Sequence, residues 1–585
     1  MWYGLPHLGF FKTHSSKSQN PLFRALKPSE TVPAIVSVVV LFLISCLCRQ
    51  QADNFLLFID LAGLRLKGAF AVFPLDSTIV RPPWLASRFY GHSESEPCWS
   101  VVYNLRTRRL ILLEGQSSLV WENLRFDQPL LASVPEVAKA LRKSESRIVV
   151  SVARFVDVLV EKGLILRPSQ VLTPRDGATS PAIDLDPLEA RIEHRMVAEN
   201  VLWRLFFEIT YRCNEDCIHC FNPTERRTEE LTTEQIVRVL GEGRALGTLL
   251  LCFSGGEVFS RRDAFELLES ARALEYAIDL YTNGVLLTEK KRERLAQLYP
   301  RSVSVSIYSA DAAIHDATTR VKGSFGKSVD TLKHLAELGV PINVKCPVMK
   351  HTVDGYRAVK ELADRLGATV QFDLVLAGKN DGNLDPVQHR VTDPDKLRML
   401  LMDEDIPLFV GKERIEREAN RLSQDGNFCG AGLANLDITP EGMVTPCVSL
   451  PLPVGNVKQT PLAEIWEAKN SPLRRWRDVR VQDYAGCGTC ERQAHCSKCA
   501  GIALVEHGDF LGPSDQDCLI SIARVRLAEE RGIIPKDSIS LIPGKDRLDP
   551  LRINEMERRG FHTNLVQLGR TGTQTKVVLP RSRQN

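Results

Sequence analysis

Between residues 200 and 400 the chain alternates strand-like and helix-like segments six times over, and this alternation constrains its fold more than any other feature. The strand candidates are 205–210, 248–253, 277–281, 302–308, 341–348 and 370–376. Helical patterns lie between them, among them 233–246, 262–274, 326–338 and 355–366. Such units pair as parallel strands joined by right-handed crossovers, with helices covering the sheet. The expected product is an α/β barrel or part of one, with its chemistry at the C-terminal ends of the strands.

With 585 residues the chain is too long for a single core, so two to four domains are expected. Its 75 basic and 72 acidic residues nearly cancel, leaving +3. That balance gives no electrostatic case for nucleic acid. Ten of the fifteen cysteines fall into three groups: Cys213, Cys217 and Cys220; Cys429 with Cys447; and Cys487, Cys490, Cys496, Cys499 and Cys518. Tight C-x-x-C spacing in a large chain points to metal or iron–sulfur ligation in a reducing compartment, hence a cytoplasmic protein. One segment resists this reading. Residues 32–48 (VPAIVSVVVLFLISCLC) carry no charge and reach the lower edge of a membrane span. An anchor, a buried helix and an extension translated only on paper all stay open for residues 1–85, and membrane association stays open with them.

Residues 97–165 read as a small winged-helix-like α+β domain. CWSVVYNLRTRRLILLEG gives two strands joined at Arg106–Arg109, and helices are predicted at 117–124, 134–142 and 147–162. A Pro/Ser/Thr/Asp-rich linker follows within 166–199. Residues 420–520 are rich in Gly, Pro and Cys and need metal staples to stay folded. Residues 536–585 read as a polar tail.

The string ITYRCNEDCIHC places three thiols directly after the first barrel strand. Three thiolates on a loop can hold three irons of a 4Fe–4S cube and leave the fourth iron open; a zinc site is the bland alternative. With the strand before it and the barrel after it, residues 203–380 resemble the radical S-adenosylmethionine superfamily, whose fold is a partial (β/α)6 TIM-like barrel. The resemblance implies that Cys213, Cys217 and Cys220 hold the catalytic 4Fe–4S cluster. It places His219 near adenine. Ser254, Gly255, Gly256 and Glu257 stand at the family's glycine–glycine–glutamate motif, with Glu257 able to accept from an ammonium. Asn283 lies in the turn after the third strand. Ser306 matches a serine near the ribose, and Arg320 an arginine that pairs with the cofactor carboxylate. The implied chemistry is reductive cleavage of S-adenosylmethionine to a 5′-deoxyadenosyl radical, fed by a one-electron donor such as flavodoxin or ferredoxin. No catalytic acid, base or relay residue is assigned.

The later cysteines resemble the seven-cysteine SPASM extension of peptide- and protein-modifying radical enzymes. That resemblance implies two auxiliary 4Fe–4S clusters, one on Cys429, Cys447 and Cys499, the other on Cys487, Cys490, Cys496 and Cys518. The two-residue gap between Cys496 and Cys499 departs from the usual three. A zinc ribbon is the alternative without the barrel. Residues 97–165, through VVYNLRTRRLILLEG, LVWENL, VAKAL and VARFVDVLVEKGLI, resemble the PqqD-like peptide-recognition domain, which binds a leader by strand addition. Together these features imply a maturase of a ribosomally made precursor peptide, gripped through its leader. The rivals are a formylglycine-forming sulfatase activator, a haem-precursor decarboxylase and a non-catalytic iron–sulfur scaffold.

Overall fold

The computed structural model describes residues 73–91, 98–168, 187–223, 229–406, 408, 426–484 and 486–539. The uncharged run 32–48, most of the linker and the tail beyond 539 lie outside these.

The first unit builds on β1 (Thr78–Ile79), β2 (Leu85–Tyr90), β3 (Trp99–Asn104) and β4 (Arg109–Glu114). β2, β3 and β4 form an antiparallel sheet in that order, with Val101 opposite both Arg88 and Leu112. The β3–β4 turn closes because the Asn104 side-chain oxygen accepts from the N–H groups of Arg106 and Thr107, both at 3.1 Å. Three helices follow: α1 (Gln116–Glu122), α2 (Val134–Leu141) and α3 (Glu145–Glu161). A two-residue strand, β5 (Gln128–Pro129), pairs with β1. Helix α3 buries Ile148, Val152, Phe155, Val156 and Leu159, one stripe at helical spacing.

This unit starts earlier than 97. Phe73, Ile79, Trp84 and Leu85 all lie in its core, and β2 is a third strand that the sequence reading left out. A truncation near Ser87 would therefore cut through β2. The unit does not stand apart either. Trp203, Leu249, Leu250 and Ala277, at the starts of barrel strands, belong to the same apolar cluster. Arg88 Nε donates to Thr248 O at 2.7 Å and the Tyr90 hydroxyl to Gly247 O at 2.8 Å. Arg81 pairs with Glu275 at 2.8 Å.

Helix α4 (Pro187–Ala198) leads into the barrel. Its strands are β6 (Arg204–Thr210), β7 (Leu250–Gly255), β8 (Ala277–Thr282), β9 (Ser302–Ser306), β10 (Ile342–Pro347) and β11 (Thr369–Asp373). All six run parallel in chain order. The crossovers carry α5 (Thr233–Ala245), α6 (Ala264–Ala273), α7 (Glu289–Gln297), α8 (Ala312–Thr319), α9 (Ser324–Glu337) and α10 (Tyr356–Arg365). Leu205, Phe207 and Ile209 pack under these helices in the main core. The alternate residues face inward, where Phe206, Cys252 and Tyr281 meet.

The sheet does not stop at six strands. β12 (Asn435–Ile438) pairs parallel with β6, and β13 (Met443–Thr445) and β14 (Gly455–Asn456) extend it antiparallel. The cysteine-rich region is thus continuous with the barrel sheet. It closes with α14 (Ala500–His507) and α15 (Asp515–Glu530), after α11 (Pro394–Met402), α12 (Leu462–Glu467) and α13 (Pro472–Arg477).

Candidate active site

The loop after β6 carries Cys213, Cys217 and Cys220, none of them in a disulfide. It leans on the end of α8: Asp216 N donates to Thr319 O and Ile218 N to Thr318 O, both at 3.1 Å. Cys213 Sγ accepts from Glu215 N at 3.4 Å. Cys217 Sγ lies 3.4 Å from Glu215 Oε2 and 3.7 Å from the Tyr308 hydroxyl. Burial pushes the Cys213 thiol up to about 11, with Glu257, Glu215 and Cys220 adding negative potential. Cys217 is raised further by burial, then by Glu215, Cys220 and Cys213. The three thiols thus lie within electrostatic reach of one another on one loop.

Gly255 and Gly256 are there because nothing larger fits. A Cβ on Gly255, whose φ is +125°, would lie 2.2 Å from Thr210 O. One on Gly256 would lie 2.4 Å from Arg212 O. The strand end is thus pressed against the start of the thiol loop, and Gly256 N donates to Thr210 O at 2.7 Å. Glu257 follows, fully buried. Its oxygens accept from Thr282 Oγ1 at 2.8 Å, Asn283 N at 2.7 Å and Phe259 N at 3.0 Å. Burial raises its pKa, and these bonds oppose the rise. Asn283 reaches across to Asn214 Oδ1 at 2.9 Å, tying the third strand's turn to the thiol loop.

The other predicted residues surround this point. His219 packs edge-on to Tyr308, with ring centroids 4.6 Å apart. Burial, then His389 and His351, lowers its pKa to about 3, so its ring is neutral. Ser254 and Ser306 end β7 and β9 on the inward face, both partly open. Arg320 sits at the left-handed end of α8 and pairs with Asp216 of the loop at 2.8 Å. That pair is exposed, so it contributes little to stability.

Four buried polar atoms of this loop have no hydrogen-bond partner: Asn214 Nδ2, Glu215 Oε1, His219 Nδ1 and Asn222 Oδ1. Native interiors rarely leave such atoms unpaired, and their concentration here is what a bound polar group would satisfy. Among the described residues no three His, Cys, Asp or Glu side chains converge on a single ion. The spread thiols and unpaired atoms suit a multi-iron cluster with a polar cofactor beside it.

The later thiols divide in two. Burial holds Cys447 up, and Cys429 and Cys499 raise it further. Burial, then Asp517 and Cys429, push Cys499 to about 12. Cys487, at about 11, feels Cys518 and Cys490, while Cys496 feels Cys487 and Cys518. Tyr484 lies between the sets, near Cys429, Cys499 and Cys487. Asp517 accepts from Cys499 N at 2.9 Å and Ser514 Oγ at 2.6 Å. His495, like Asp517, is buried beside these thiols.

The sequence reading missed one pair. Glu208 of β6 and Asp437 of β12 are both buried on the inward face. Glu208 accepts from the Tyr211 hydroxyl and Asp437 from Thr445 Oγ1, each at 3.1 Å. Glu208 Oε1 and Asp437 Oδ1 have no partner. Burial raises both carboxyls, Asp437 to about 8, and Asp437 raises Glu208 further. The two acids are 229 residues apart in sequence, and only the unforeseen strand β12 brings them together.

Comparison with known proteins agrees with this geometry. Residues 207–365 match the Radical SAM superfamily, and residues 429–500 match SPASM, an iron–sulfur cluster-binding domain. Two curated relatives are AdoMet-dependent heme synthases. That of Methanosarcina barkeri is 28% identical over 327 residues, covering 52% of this chain and 93% of its own. That of Nitratidesulfovibrio vulgaris is 28% identical over 330 residues, covering 52% and 89%. Among solved structures, Streptococcus suis SuiB bound to precursor peptide SuiA aligns with a TM-score of 0.47 at 15% identity, covering 75% of this chain and 99% of that one. Native anSMEcpe with bound AdoMet aligns at 0.43 and 17% identity, covering 56% and 97%.

Proposed function

Since the chain is a radical S-adenosylmethionine enzyme with a SPASM extension, using 4Fe–4S clusters and S-adenosylmethionine, we propose that it modifies a ribosomally made precursor peptide held through its leader. When bound, the reduced cluster and S-adenosylmethionine supply a radical able to remove hydrogen from the substrate. In this reading Cys213, Cys217 and Cys220 ligate that cluster. Glu257 accepts from the cofactor ammonium in place of its present hydroxyl and amide donors. His219, Ser254, Gly255, Gly256, Asn283 and Ser306 line the cofactor, and Arg320 exchanges Asp216 for the cofactor carboxylate. Cys429, Cys447 and Cys499 hold one auxiliary cluster. Cys487, Cys490, Cys496 and Cys518 hold the other.

The peptide assignment rests on one observation. Among the described residues β4 pairs with β3 only, so one edge of a three-stranded sheet is left for another strand. Ile111 and Leu112 on β4 are partly open, and Val150 on α3 is 51% exposed. An extended peptide added there would gain backbone hydrogen bonds and bury alternate side chains. The test is binding of a labelled leader to the full-length enzyme, expected in the micromolar range, about −8 kcal/mol. Removing the leader from the precursor should slow modification far more than cleavage of S-adenosylmethionine. Modification at full rate without a leader would refute the reading.

A second reading, decarboxylation of a haem-precursor side chain, is favoured by the two heme synthases above. Release of carbon dioxide from a haem precursor by the purified enzyme would establish it. The two readings divide over the 48% of the chain outside those matches (100% less the 52% covered).

A further inference from the structure

The inner wall of the barrel carries a cation that the site described above leaves unused. Lys345 lies on β10 between Val344 and Cys346, which pack outward in the main core, so its own side chain faces the lumen. It stands level with Ser306 of β9 on one side and Gln371 of β11 on the other. These three residues are only partly covered, while their neighbours along each strand are buried. They therefore line an opening inside the sheet.

The Lys345 ammonium lies 4.8 Å from the centre of the Tyr281 ring and donates to Gln371 Oε1. Gln371 Nε2 donates in turn to Asp373 Oδ1 at 3.3 Å. The amide thus stands between the two charges, and neither of these contacts gives Lys345 an anion. Burial opposes its charge, but Tyr281 and Asp373 outweigh burial, so the ammonium stays protonated. At the bottom of the same sheet, by contrast, Arg204 pairs with Glu189 and Arg301 with Asp279. An enclosed cation resting on an amide and a ring is costly unless an anion arrives. Its position is also central. The Tyr281 ring packs edge-on to Phe206, with centroids 5.7 Å apart. Phe221, next after Cys220, and Cys447 join the same cluster, so Lys345 stands between the two cysteine regions.

We propose that Lys345 and Gln371 form the subsite that receives a carboxylate of the substrate. The carboxylate takes the place of the Gln371 amide oxygen on the ammonium, and the Tyr281 ring stays beneath it. The group selected is an acidic side chain of a peptide or a propionate of a tetrapyrrole. Binding is the whole of the step; no bond forms or breaks. The inference rests on the reading above in placing the cofactor ribose at Ser306. Neighbouring strands lie about 4.8 Å apart, so a carboxylate on Lys345 brings the chain that bears it alongside the ribose. It does not depend on a leader at β4, whose binding is tested separately, so either inference can fail without the other. The competing occupant is the carboxylate of the cofactor itself, which that reading gives to Arg320.

The test uses the reconstituted full-length enzyme loaded with S-adenosylmethionine, and two pairs of probes. One pair is haem and its propionamide; the other is an acetylated pentapeptide amide with one Glu and its Gln counterpart. In the parent, one acid should bind about 10-fold or more tighter than its amide, and the pair that does so identifies the source. That preference should vanish in Lys345→Met through loss of acid affinity alone, and persist in Lys345→Arg. Gln371→Glu, which puts an anion where the amide stood, should abolish it too. Equal affinity for acid and amide in both pairs would overturn the proposal. So would a preference that survives Lys345→Met, or a fall in acid and amide alike. A matching fall in affinity for S-adenosylmethionine would assign Lys345 to the cofactor carboxylate and overturn it as well.

Discussion

The two ends of the barrel treat charge in opposite ways. At the bottom, where the strands start, carboxylates meet guanidiniums. Arg301 pairs with Asp279 at 2.5 Å and with Glu189 of α4 at 3.2 Å, and Arg204 pairs with Glu189 at 3.3 Å. Asp279 is accordingly held below the usual carboxylate range: burial opposes this, and Arg301, Ser302 and Arg204 overcome it. At the top, Glu208, Glu215 and Glu257 meet hydroxyls, backbone amides and a thiol, and the acids are raised, Glu215 to about 7. At the first end the carboxylates Asp279 and Glu189 are paired with guanidiniums, as a foundation requires. The other holds uncompensated groups whose cost is justified only by what binds there.

Substitutions can break this contrast from either side. The largest effect is expected at the top. Replacing Cys213, Cys217 and Cys220 together by Ala should abolish cleavage of S-adenosylmethionine. It should also remove about four of about twelve irons from anaerobically reconstituted protein, measured by iron analysis and spectroscopy. Loss of all the iron would show that the two cysteine regions do not bind independently. At the bottom, Arg301→Met should strand Asp279 without its partner. Chemical denaturation should then show a loss of about 3–5 kcal/mol, with cofactor affinity retained in the folded fraction. A stability change under 1 kcal/mol would mean the bottom network is not what secures that end.

The smallest effect concerns pH. Asp437 is raised in the fold from the ordinary carboxylate value to about 8. The folded protein therefore binds more protons than the unfolded chain between those values. Its contribution to stability is fully present below the ordinary value and is lost as pH rises through about 8. Between pH 6 and 8 the melting temperature of the parent should fall more than that of Asp437→Asn. Parallel profiles would show that the acid pair is compensated by something bound.

Much of this was legible in the chain. The six parallel strands were readable because each is an apolar run flanked by a helix, a pattern carried within about thirty residues. The thiol loop was readable because its three cysteines lie close together in sequence. β12 was not, since NLDI is four residues in a segment without period, and its partner β6 lies more than two hundred residues away. Glu208 and Asp437 were hidden for the same reason. β2 was missed because LASRFY is short and buried on both faces, so it shows no alternation. Glu257 was foreseen as an acceptor, but its present donors on β8 and the turn after it belong to a contact that only folding creates.

The docking of the first unit beneath the barrel sets a length scale. Strand β6 has seven residues, and at about 3.3 Å per residue it spans about 20 Å from the docked end to the thiol loop. A peptide gripped on β4 would have to climb that height outside the sheet before any of its residues reached the cofactor. If the substrate is such a peptide, the molecule would act as a ruler: residues within about six positions of the gripped segment would stay out of reach, and the sites altered would be chosen by distance along the peptide as well as by their chemistry.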